Sequence, residues 1–134
     1  MHLQLGRNVA TADAETVWVT LHEPWTVPLL QQALNHLLEI RREHGRVLLV
    51  IEPLIDNPLP AEVRRYLADH QKNFAFTEII VVSRSLLLRG VVALLHRARI
   101  LLGGAAPNAP HFVRTADEAR TLLTSLRQKH QPKA

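Results

Sequence analysis

Apolar and polar positions change their period several times along the chain, and each change predicts an element. Leu3-Gln4-Leu5 alternates briefly, and Thr16-Val17-Trp18-Val19-Thr20-Leu21-His22 alternates at period two with β-branched and aromatic residues. Two strands are therefore predicted near the N-terminus, with a turn at Thr11-Ala12-Asp13-Ala14 between them. Thr26 offers an N-cap, Pro28 suits a first helical turn, and Leu29, Leu30, Ala33, Leu34, Leu37, Leu38 and Ile40 recur at helical spacing up to a stop at Gly45. Arg46-Val47-Leu48-Leu49-Val50-Ile51 is apolar on both faces, the mark of a strand buried between layers.

After a loop punctuated by Pro53, Pro58 and Pro60, the residues Val63, Tyr66, Leu67, His70 and Phe74 share one helical face, which predicts a second helix from Pro60 to Asn73. Glu78 to Ser83 reads as another two-sided strand. Ser85 then caps a third helix running to about Leu102, before Gly103-Gly104. A loop from Pro107 to Pro110 leads to a short strand at His111 to Arg114. Thr115-Ala116-Asp117-Glu118 is a capping box that opens a last helix through Leu122, Leu123 and Leu126. The predicted order is ββαβαβαβα: an α/β fold with a mostly parallel five-stranded sheet, an antiparallel N-terminal strand and four helices. One domain over residues 1–127 is expected, followed by a flexible basic tail over residues 128–134.

Composition narrows the classes of function. Of 134 residues, 47% are hydrophobic and 21% charged, as in a globular domain with a core and unlike a disordered chain. Aromatics are 4%, so that core is built from Leu and Val. The absence of Cys excludes disulfides, thiolate metal sites, iron–sulfur clusters and Cys nucleophiles. The start, Met1 to Arg7, lacks an apolar signal core and no uncharged run reaches membrane-spanning length, so a cytoplasmic protein without a transmembrane segment is expected. A formal net charge of +4 leans mildly toward anionic partners. Lys and Arg are scattered rather than gathered with aromatics, so no specific nucleic-acid binding is expected.

The element order, the buried strand Val47 to Ile51 followed by Ile55-Asp56, the strand Ile79 to Ser83 leading into a helix, and the ending Phe112-Val113-Arg114-Thr115-Ala116-Asp117-Glu118-Ala119 together resemble a STAS domain, the family of anti-sigma factor antagonists and sulfate-transporter regulatory domains. The resemblance covers most of the chain. It implies a protein partner and no enzymatic activity or cofactor. Regulated members carry a phosphorylatable Ser or Thr directly after the Asp that begins the second helix. Here Asp56 precedes Asn57-Pro58-Leu59-Pro60, so the resemblance implies interaction or scaffolding without that switch.

On the third helix, Leu87, Val91, Leu94, Leu95, Ala98, Leu101 and Leu102 form one broad face, expected to meet the core. Leu86, Arg89, Val92, His96 and Ile100 fall outside it and are the expected interface residues, through protein partnership or self-association as a homo-oligomer. Ser83-Arg84-Ser85 stands where a strand meets a helix N-terminus, and Glu52 and Asp56 follow the preceding parallel strand. These five residues are the candidate small-anion site at the sheet's C-terminal edge. Neither a Walker loop nor G-x-G-x-x-G accompanies them. His36, Glu39 and Glu43 lie on one polar helix side, but no second cluster would complete a metal shell, so no metal site is expected. Ser83 and Ser85 lack the flanking glycines of a nucleophile elbow, so no catalytic residue is assigned.

Overall fold

Strands that are apolar on both faces need a layer on each side, and the fold supplies both. In the computed structural model, residues 2–70, 77–101 and 109–129 are described, with residues 98–101 followed by their backbone alone. The elements are β1 (His2–Leu5), β2 (Asn8–Asp13), β3 (Thr16–Leu21), α1 (Val27–His44), β4 (Leu48–Pro53), α2 (Ala61–Asp69), β5 (Glu78–Val82), α3 (Leu86–Leu101), β6 (His111–Val113) and α4 (Ala116–Lys129). They build an α/β fold with four helices and a six-stranded mixed sheet ordered β1-β2-β3-β4-β5-β6. The β1–β2 and β2–β3 pairs are antiparallel and the remaining pairs parallel.

The expected five strands are thus six. Asn8 to Asp13, part of which reads as a turn, is a strand paired on both sides. Its Ala10 and Ala12 have weak intrinsic β preference, but their small side chains face the layer occupied by α1, and tertiary pairing overrides propensity. Two tight connections make this possible. Gly6 opens the β1–β2 turn with φ +67°, and Ala14 opens the β2–β3 turn with φ 52°. The strand that runs against the parallel set is consequently β2, not the first.

Consecutive right-handed crossovers between strands in sequential order place α1, α2 and α3 on one face. There Leu30, Leu34, Leu37 and Ile40 of α1 and Val63 of α2 pack with Val17, Val19 and Leu49. On the other face α4 lays Ala119, Leu123 and Leu126 against Leu48, Val50, Ile80 and Val82. The predicted caps form. Thr26 accepts the Leu29 N–H, Gly45 closes α1 in the left-handed region at φ 79°, and Thr115 accepts the Glu118 N–H at 3.2 Å. The Glu118 carboxylate reaches back to the Arg114 N–H at 3.1 Å, one residue before the cap. α2 ends at Asp69, earlier than expected, with His70 stacked on Tyr66 at 4.0 Å between ring centroids. The expected end of that face, Phe74, lies outside the described residues, as do Gly103-Gly104. α4 reaches Lys129, so Gln128 and Lys129 belong to the helix, and residues 130–134 of the expected tail lie outside the described residues. Among the described residues, no helix is long and apolar enough to cross a membrane.

Candidate functional site

All five candidate anion-site residues fall at the C-terminal edge of the parallel strands, but their polar groups are largely committed to the fold. The Ser83 hydroxyl accepts the Ser85 N–H at 3.0 Å, and the Ser85 hydroxyl caps α3 by accepting the Leu88 N–H at 3.2 Å. Glu52 alternates onto the face covered by α4, where it accepts the Trp18 indole N–H at 3.0 Å. Asp56 and Arg84 are exposed. Among the described residues no hydrogen bond or ion pair joins Asp56 to Ser83, Arg84 or Ser85.

The same edge carries the turn that launches α3, and that helix is rotated from the orientation expected. Leu88 is buried, and Leu88, Val92, Leu95 and His96 line the space beneath the helix. Leu86, Leu87 and Leu94 stand 82%, 72% and 67% exposed. Leu87 and Leu94, expected in the core, therefore face outward, whereas Val92 and His96, expected at an interface, face inward. The shift corresponds to about 100°, the turn of one helical residue. Leu86 is exposed as expected, and the Ile100 side chain lies outside the described residues. Arg89 is no free surface cation. Its guanidinium donates twice to the Ser83 carbonyl, at 3.1 and 2.8 Å, and lies 5.7 Å from the Phe112 ring centroid, tying the first turn of α3 to the end of β5 and to β6.

The outward stripe of α3 contains Leu86, Leu87, Gly90, Leu94 and Arg97, all exposed. A Cβ added at Gly90 would meet nothing within 4 Å. Packing inside this chain does not require glycine there, although mid-helix Gly costs about 1 kcal/mol relative to Ala.

Between the sheet and the helix layer lies a cavity of about 170 Å³, lined almost wholly by carbon. Its walls come from strands β1 to β5, from α1 and from the inward face of α3. Among the described lining residues, Trp25, His36 and His96 carry side-chain nitrogens, Thr11 turns its hydroxyl to the opposite face of the sheet, and no acidic residue, Lys or Arg is present. Cores ordinarily pack with few voids larger than a water.

At the opposite end of the sheet are charge clusters that the sequence reading does not single out. Glu78, 1% exposed at the start of β5, meets His111 Nε2 at 2.7 Å and Lys129 Nζ at 3.9 Å. Glu15 pairs with Arg46 at 3.1 Å. A hydrogen bond from its own backbone N–H, helped by Arg46 and Arg127, holds the Glu15 carboxyl below its ordinary value against the opposing effect of burial. Arg127 donates to the Thr16 hydroxyl at 3.1 and 2.8 Å. These groups join β5 to β6 and α4, and β3 to α4 and the entry to β4, at the end of the sheet away from the usual ligand edge. Their signal in sequence is a charged residue at the rim of an apolar strand, which on its own has no partner to point to.

His36 approaches Glu39 at 3.8 Å, and among the described residues no group of three or more His, Asp or Glu is arranged to hold a metal. Comparison with protein-family models, with curated proteins and with solved structures finds no match.

Proposed function

We propose that this chain is a non-enzymatic STAS-like interaction domain of a cytoplasmic regulatory or assembly system, lacking the phospho-switch, and that it associates with a second copy of itself through the outward stripe of α3. The observation that carries the reading is the exposure of Leu86, Leu87 and Leu94 on one helix. Single exposed apolar residues are ordinary, but a run of them along one element is the composition of an interaction surface. Gly90 adds to it. A glycine at the centre of the stripe lets a partner backbone approach closely and gives this chain's own packing nothing. An apolar stripe of this kind is self-complementary about a two-fold axis, which favours an isologous dimer. The α/β architecture with four helices, and a helix following β5, support the STAS reading, while Asn57 after Asp56 leaves out the hydroxyl that the switch would need. An anion site at the sheet edge is the weaker reading, because the Ser83 and Ser85 hydroxyls and the Glu52 carboxylate already have partners.

Light scattering after size exclusion tests the proposal. The wild-type chain is expected to show a mass that rises with concentration toward a dimer, and Leu87→Glu with Leu94→Glu to give the monomer mass with unchanged circular dichroism. A monomer at every concentration would overturn self-association through α3. An oligomer indifferent to both substitutions would overturn it equally.

A further inference from the structure

We infer that the cavity between the sheet and the helix layer is a binding site for an uncharged apolar small molecule, an alkyl chain of roughly six to ten carbons. The size sets the scale. A cavity of about 150 Å³ lined by aliphatic and aromatic side chains stays dry and admits benzene, and this one is about 170 Å³. The chemistry of the walls sets the class. With a lining almost wholly of carbon and without a described carboxylate, ammonium or guanidinium, a water has too few partners inside and a charged ligand has no counter-ion.

Shape favours a chain over a ring. The lining reaches from Leu3 and Leu5 on β1 to Ile79 and Val81 on β5. Five adjacent strands at about 4.8 Å spacing span about 19 Å, so the space runs across the strands beneath α1 and α3. Its room comes from small side chains where strands and helices usually carry larger ones: Ala10 and Ala12 of β2 and Ala33 of α1 all stand on the lining. Among the described lining residues, His36 and His96 offer ring nitrogens that a hydroxyl on the chain would meet. This site uses the inward face of α3, through Leu88, Val92 and Leu95, and is independent of the outward stripe.

Titration calorimetry and thermal melting of the full chain with n-octanol test the inference, with benzene, octanoate and 1,2-propanediol as comparisons. n-Octanol is expected to bind saturably and to raise Tm with increasing concentration, octanoate and benzene to bind at least tenfold more weakly, and propanediol not to bind. Ala33→Leu, which fills the cavity, is expected to keep or raise the ligand-free Tm and to weaken n-octanol binding at least tenfold. If Ala33→Leu does not fold, Ala12→Val makes the same test with a smaller addition. Absence of saturable n-octanol binding, a preference for benzene or octanoate, or undiminished binding by a folded cavity-filling variant would each overturn the inference. A monomeric wild-type protein would leave it standing, so its failure and that of the α3 interface are distinguishable.

Discussion

Two constraints meet at Gly6. Its φ of +67° is a left-handed conformation that residues with a Cβ resist, and a Cβ there would collide with the Glu23 carboxylate that accepts the Arg7 N–H at 3.0 Å. Gly6→Ala is expected to lower stability by about 1–2 kcal/mol in urea unfolding, through backbone strain and loss of that hydrogen bond. Glu15 makes a prediction with a definite sign. Its folded pKa lies below the ordinary value of 4.5, so its stabilisation is fully present above that pH and is lost as pH falls through the folded value. Urea midpoints of wild type and Glu15→Gln are expected to differ most near neutrality and to converge as pH falls below 4.5 and through the folded value. A constant difference across that range would contradict the assignment. Residues of this kind are legible in sequence only in part. Thr26, Gly45 and Thr115 act within one turn of helix, so their spacing reveals them. Asn8 does not: buried in β2, its carboxamide oxygen accepts the His22 and Glu23 N–H groups at 2.8 and 3.0 Å, partners that only the folded sheet brings near.

At the scale of elements, α1 and α3 show when periodicity succeeds. In α1 the apolar residues alternate with Gln31, Gln32, Asn35 and Glu39, so Leu30, Leu34, Leu37 and Ile40 are marked as the buried face. In α3 apolar residues occupy Leu86, Leu87, Leu88, Val91, Val92, Leu94 and Leu95 with little polar contrast, and the pattern does not choose between faces. Arg89 settles the rotation instead, by anchoring to the Ser83 carbonyl and to Phe112, contacts set by tertiary structure. Gly90 supplies the test at this scale. Gly90→Ala is expected to raise the stability of the dissociated monomer by up to about 1 kcal/mol, because Ala is the better helix former and a Cβ fits there. The same change is expected to weaken association by blocking close approach. A variant that is more stable yet associates as tightly as wild type would remove Gly90 from the interface.

For the whole molecule, the alternation of two-sided strands with amphipathic helices made the α/β architecture and the four helices readable, because each element needs a layer to cover it. The sixth strand was hidden by Ala10 and Ala12, whose low β preference is outweighed by pairing to both β1 and β3. The cavity was hidden for a related reason: the same small residues read as ordinary apolar positions, and empty space between layers has no periodicity. The clusters around Glu78 and Glu15 join residues distant in sequence and were equally out of reach. These features give one sheet with two differently used sides: α1, α2 and α3 cover one, over an apolar space, with α3 turning leucines outward, and α4 covers the other.

On the proposed reading, a second copy docks on the outward stripe of α3. Amide hydrogen exchange followed by mass spectrometry, on dilute and on concentrated protein, locates the surface directly. Exchange across residues 86–97 is expected to slow as concentration rises, while α1 and α4 exchange at unchanged rates. Protection that leaves α3 unaffected, or that concentrates on the β1 edge of the sheet, would contradict the claim.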